Sequence, residues 1–242
     1  ASRELASSGY RGDLAQFRPG FLSYQRLRDG LQVACCPTRD GASLKVTPDR
    51  RYPKGHWAMS LILAQSGWYE LEGRQLTFYT NQLAGSKYSH YGQYSRIQAP
   101  EGVSFKLCQV VNLGEGLQQL WLELKGIEAV PSQSLHLEWV TSYISPDQLE
   151  LNYRQSNFFG QTWDQQCAQT EAVWEDYLSR LTVSHREAKL VNRFYHCLYR
   201  TATFPQAAYE WSGAGKPIHQ SPYTGKLEPG YFFTNNGYWD TF

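Results

Sequence analysis

The sequence predicts a mixed fold in which a β-sandwich comes first and helices follow. Three observations carry this. Apolar residues alternate with polar ones between about residues 20 and 145. The spacing then becomes helical. Gly, Pro and Asn clusters punctuate the first region throughout.

The strands can be justified in order. Leu31–Cys36 has the length of one strand, and Trp57–Leu63 is a mostly apolar run. Gln75–Thr80 is rich in β-formers. Val103, Phe105 and Leu107 alternate with polar neighbours, as do Leu120, Leu122 and Leu124, and then Leu135, Leu137 and Trp139. Arg39-Asp40-Gly41, Glu101-Gly102 and Asn112-Leu113-Gly114 read as the turns between them. Many short strands of this kind suggest a sandwich.

After residue 145, Ser145-Pro146-Asp147-Gln148 reads as a helix start, with Ser as N-cap and Pro in the first turn. Trp163, Cys167, Trp174, Leu178 and Leu181 fall on one helical face. Ser184-His185-Arg186-Glu187 fits a capping box for the next helix, whose face is Val191, Phe194, Tyr195, Leu198, Tyr199 and Ala202. Pro205 stops it. Tyr209 to Gly237 shows no periodicity and reads as a long loop, which its aromatic content marks as ordered and functional.

Composition narrows the function classes. With 23 Lys plus Arg against 22 Asp plus Glu, the net charge of +1 leaves no electrostatic footprint for nucleic acid or a polybasic membrane patch. No run approaches the roughly 18 apolar residues of a membrane span. The first residues hold no apolar signal core, although a processed chain would look the same. The 5 Cys include no CxxC pair, and Cys35 and Cys36 are adjacent, so reduced thiols are expected, with a lean towards the cytoplasm. The 8 Trp and 17 Tyr suit sugar rings as well as sandwich cores. The aromatic end Tyr238–Phe242, with too few helices to close a core, reads as a chain cut where a larger helical domain begins.

Few residues carry an obvious chemistry. The six His, at positions 56, 90, 136, 185, 196 and 219, form no zinc-spaced pair. There is no GxSxG elbow, and Ser212–Lys216 only loosely resembles a phosphate loop. Glu171 with Glu175 reads as a solvated helix face, whereas Glu210 and Glu228 lie in the aromatic stretch. Asp240 follows Trp239. It reads equally well as a ligand of sugar hydroxyls beside a stacking indole and as the N-cap of a following helix.

Three segments resemble glycoside hydrolase family 92, the calcium-dependent exo-α-mannosidases. They are Val140–Gln148 with Asn152, Phe194–Thr201 with Phe204-Pro205, and Phe233–Phe242 with its Trp239-Asp240-Thr241. They stand in the family's order and cover residues 140–242. The resemblance implies a supersandwich-like β-domain over 1–145, a helical linker over 146–185, and over 186–242 the truncated start of an (α/α)6 barrel. It implies an inverting mechanism, in which one carboxylic acid protonates the leaving oxygen and one carboxylate activates water. Trp239 and Asp240 would contact mannose hydroxyls. The catalytic acid and base and the Ca2+ ligands would lie beyond residue 242, so the chain alone would be inactive. A mannose-containing glycan is the implied partner, together with the rest of the barrel in cis or as another chain; no nucleic acid or membrane is expected. Two other classes also fit: a trehalase-like or glucosidase (α/α)6 enzyme, and a non-catalytic carbohydrate-binding sandwich.

Overall fold

A computed structural model describes residues 8–49, 57–81, 91–127, 130 and 134–234. Among the described residues eleven strands precede the helices. They are β1 (Gln16–Arg18), β2 (Phe21–Gln25), β3 (Gln32–Thr38), β4 (Gly41–Thr47), β5 (Trp57–Ala64), β6 (Trp68–Glu72), β7 (Gln75–Thr80), β8 (Gln93–Gln98), β9 (Ser104–Gly114), β10 (Leu117–Lys125) and β11 (Leu135–Ser142). Eight form one antiparallel sheet in the order β1-β2-β3-β4-β11-β8-β7-β6, and β5-β10-β9 form a second. Residues from both sheets meet in the main core, among them Leu63, Leu76, Phe78, Ile97, Phe105, Leu120, Leu122, Leu124, Leu135 and Leu137. The predicted sandwich is therefore present. Burying each such side chain is worth about 1.5–3 kcal/mol.

Strand β11 reads out both faces of the large sheet. Leu135, Leu137 and Trp139 point into the sandwich. The alternate residues His136, Glu138, Val140 and Ser142 lie on the other face, as a period of two requires. That face is covered by α1 (Pro146–Gln155) and α2 (Trp163–Leu178). A second apolar cluster forms there from Cys36, Val140, Leu149, Phe158 and Phe159, with Tyr153 and Trp163 packed against it.

Local signals start each helix. Ser145 caps α1 by accepting from the Gln148 amide at 3.1 Å, with Pro in the first turn as expected. Thr162 and Gln165 form a capping box for α2. The helix α3 (Ala188–Thr201) begins four residues after the expected Ser184. Glu187 has extended backbone and serves as N-cap without a side-chain bond, and its amide donates to His185 Nδ1. A capping box needs its Glu at the third helical position, which Glu187 does not occupy. The predicted face of α3 is correct. Tyr199 packs on Trp174 at 4.9 Å, and the Tyr195 hydroxyl donates to the Leu181 carbonyl.

Two expectations are corrected. The stretch from Tyr209 onward is not an aperiodic loop. It contains β12 (Glu210–Trp211), β13 (Pro217–Gln220) and β14 (Leu227–Pro229), a three-stranded antiparallel sheet too short for a hydrophobic period to show. The cysteines are not all reduced either. Cys36 on β3 and Cys167 on α2 are joined by a disulfide, 131 residues apart. Cys35 points to the other side of β3 and is free, as are the exposed Cys108 and Cys197. The lean towards the cytoplasm, which rested on reduced thiols, loses its support.

Gly20 shows why α2 can lie so close to the β1–β2 turn. Its φ is +74°, and a Cβ there would stand 2.6 Å from Thr170 Cγ2 and 2.7 Å from Trp174 Cδ1. Glycine meets both demands.

The disulfide closes a long loop across the seam between sheet and helix, so its removal should matter. Cys167→Ser is expected to lower unfolding free energy by about 2–5 kcal/mol, read by equilibrium denaturation under non-reducing conditions.

Candidate active-site approach

The sequence-predicted ligands Trp239 and Asp240 lie outside the described residues. The path leading to them is described as far as Thr234, and it is built on a buried carboxylate. Glu210 opens β12, and only 4% of its surface is exposed. One carboxylate oxygen accepts from the Tyr143 amide at 2.7 Å, and the other accepts from Asn152 Nδ2 at 2.7 Å. Ser142 contributes a further hydrogen bond.

Asn152 is fixed in orientation. Its Nδ2 also donates to the Thr141 carbonyl, and its Oδ1 accepts from Gln148 Nε2 at 2.9 Å. Turning the amide around would set its oxygen against two acceptors. Gln148 Nε2 in turn donates to the Trp211 carbonyl at 2.9 Å. On the other side of Glu210, the Arg39 guanidinium donates to the Tyr209 carbonyl at 2.7 Å and lies over the Tyr209 and Trp211 rings. Three successive residues of the chain are thus gripped.

Around this grip stands an aromatic cluster. Tyr231 meets Tyr209 edge-on at 4.8 Å and Trp211 at 6.2 Å, and Phe233 meets Tyr209 at 5.6 Å. Tyr91 stacks on Tyr143 at 5.5 Å. Sequence reading singled out Glu210 and the aromatics. It missed Asn152 and Gln148 as their holders, because their buried face appears only when α1 is seated on β11.

The electrostatics are unusual for a carboxylate at neutral pH. Burial raises the Glu210 pKa above the usual range, hydrogen bonds from Asn152, the Tyr143 amide and Ser142 oppose this, and nearby Asp40 adds to the rise. Burial also raises Asp40, against the pull of Arg39. Tyr91 is pushed up to about 12, chiefly by burial and then by Tyr143 and Glu210.

The other sequence candidates do not join this site. Glu171 is exposed and pairs with Arg18 on the sandwich, as a solvated helix face would. Glu228 accepts from the Thr224 hydroxyl and lies 3.8 Å from His219 Nε2. Ser212–Lys216 is the turn between β12 and β13. The Gly215 amide donates to the Ser212 carbonyl and the Lys216 amide to the Ser212 hydroxyl, so neither is presented to a phosphate. His136 and Glu138 are tied to Gln166, which fastens β11 to α2. Burial lowers the His136 pKa, with Gln166 acting in the opposite direction.

Among the described residues no three His, Cys, Asp or Glu side chains cluster, and the Glu210 oxygens are taken by N–H donors. No helix among them is long and apolar enough to cross a membrane.

Ionisation of Glu210 should leave a mark on stability. A carboxyl whose folded pKa is raised favours the fold below its unfolded pKa and loses that contribution as pH rises through the folded value. The unfolding free energy of the native chain relative to Glu210→Gln is therefore expected to fall as pH rises from about 4.5 towards neutrality. Chemical denaturation of both proteins at several pH values would check this.

The chain is similar to known proteins in part of its sequence and in its fold. Residues 150–242 match the family model described as the glycosyl hydrolase family 92 catalytic domain. No curated protein sequence matches the chain. Among solved structures, the family GH92 inverting mannosidase BT2199 from Bacteroides thetaiotaomicron VPI-5482 superposes with a TM-score of 0.80 at 23% identity, covering 97% of this chain and 32% of that one. The family GH92 α-mannosidase BT3965 from Bacteroides thetaiotaomicron gives 0.67 at 14% identity, covering 94% of this chain and 32% of that one. The GH92 family glycosyl hydrolase ccman5 gives 0.71 at 16% identity, covering 96% and 34%. The chain thus spans about a third of the length of these structures. Residues 150–242 carry the family 92 catalytic-domain pattern, and nearly the whole chain has the fold of family 92 mannosidases.

Proposed function

We propose that this chain is part of an exo-acting, inverting α-mannosidase that removes α-linked mannose from glycans. The observation that carries the reading is the match of the family 92 catalytic-domain model over 150–242, a stretch that contains Trp239-Asp240-Thr241. In this reading residues 1–145 are the sandwich domain, 146–185 a helical linker and 186–242 the opening of an (α/α)6 barrel. Inversion requires an acid on one side of the glycosidic bond and a base with its water on the other.

The chain's own contribution is to hold the sugar. Trp239 packs its indole on the apolar face of the pyranose, and Asp240 accepts hydrogen bonds from two mannose hydroxyls. A charged acceptor favours the transition state if those bonds tighten as the ring flattens. Ca2+, bound elsewhere in the enzyme, would orient hydroxyls as a hard cation with oxygen ligands does.

Mannose release from an α-mannobioside by the whole enzyme, with the anomer of the first product read by NMR, tests the proposal. β-Mannose is expected; glucose release from α-glucosides with no action on mannosides would overturn it. Asp240→Ala is expected to lower kcat/KM by about 10- to 150-fold, the equivalent of one charged hydrogen bond of roughly 1.5–3 kcal/mol. An unchanged kcat/KM would leave Asp240 as a helix cap.

A further inference from the structure

We infer that Glu210 is a positioning residue: its buried carboxylate fixes residues 207–234 on the seam between β11 and α1, and so sets where the chain sets out towards Trp239 and Asp240. The role assigned to those two residues rests on the mannosidase reading; the latch itself rests on geometry.

The geometry connects Glu210 to Phe233 in two short steps. Glu210 is gripped by the Tyr143 amide at the exit of β11 and by Asn152 on α1. Three residues earlier, Ala207 is bridged to Phe233. The Ala208 amide donates to the Phe232 carbonyl, the Thr234 amide to the Gln206 carbonyl, and the Gln206 amide to the Thr234 hydroxyl. Trp239 and Asp240 follow Thr234 by five and six residues. Moving Glu210 therefore moves the strand to which that path is bonded.

Only an acceptor on both oxygens satisfies the pocket. The Tyr143 amide can only donate, and Asn152 presents its NH2 because Thr141 and Gln148 fix its orientation. A glutamine at 210 would set an NH2 against one of these donors. Burial works against the ion, and so does Asp40 on the β3–β4 turn, while Arg39 is engaged with Tyr209. Tyr143 and Tyr91, the other titratable groups alongside, have raised pKa values and stay neutral.

The test compares the native protein with Glu210→Gln and Glu210→Asp by hydrogen exchange, well below either variant's unfolding temperature, and by steady-state kinetics of the whole enzyme on α-mannobioside. Glu210→Gln is expected to raise exchange at Tyr143 and over 207–234 at least tenfold while leaving β10 unchanged. It is also expected to lower kcat at least tenfold with KM within about threefold. Glu210→Asp, which keeps two acceptor oxygens, is expected to recover a large part of both. Unchanged exchange in Glu210→Gln, a uniform rise that includes β10, or a local rise with unchanged kcat would each overturn the inference. If the native enzyme releases no mannose, the functional reading fails alone, and the exchange pattern still decides the latch.

Discussion

The side chain of Asn152 is the point at which three parts of this chain are joined. It donates to the Thr141 carbonyl on β11 and to the Glu210 carboxylate on β12, and it accepts from Gln148 on its own helix. Only 4% of its surface is exposed. An amide so buried must find partners for both ends, because each unmet group would cost about 1–3 kcal/mol. Seating α1 on β11 and seating β12 on α1 are therefore one requirement. If either shifts, the amide loses a partner.

The same logic runs along the rest of the seam. Glu138 on β11 accepts from the Tyr153 hydroxyl, the Gly160 amide and Gln166 Nε2, joining α1, the loop after it and α2. Gln166 also donates to the Phe158 carbonyl. The Cys36–Cys167 disulfide stands one residue away from Gln166 on the same helix. An apolar contact tolerates sliding, since burial is nearly proportional to area and has no direction. Hydrogen bonds to buried carboxylates and amides do not. The outer face of the large sheet thus carries a polar register where the inner face carries an ordinary apolar core. That difference suits a surface that must hold the following segment at a fixed position.

The sandwich was legible because its inner face repeats every two residues. Leu120, Leu122 and Leu124 show the period, and so do Leu135, Leu137 and Trp139. The start of α1 was legible for a local reason as well: Ser145 and Pro146 act within one turn. The outer face of β11 was not. His136, Glu138 and Ser142 read as solvent-facing polar residues until helices are laid over them. The disulfide was hidden for a related reason, since nothing local relates Cys36 to a residue 131 positions away. The adjacency of Cys35 and Cys36 spoke only against a bond between those two. The small sheet β12–β14 was hidden because strands of two to four residues are too short to show a period.

The sequence by itself determined the long core strands of the sandwich and the helices that follow, and which of their faces are apolar, since these depend on neighbours within a few residues. It also held, over residues 150–242, the pattern that matches the family 92 catalytic-domain model. Only the tertiary structure decided that Glu210, and not Glu171, Glu175 or Glu228, is the buried carboxylate. The physical reason is that burial and hydrogen-bond supply belong to the pocket. That pocket is made by Tyr143, Asn152 and Gln148, which lie 58 to 67 residues earlier in the chain.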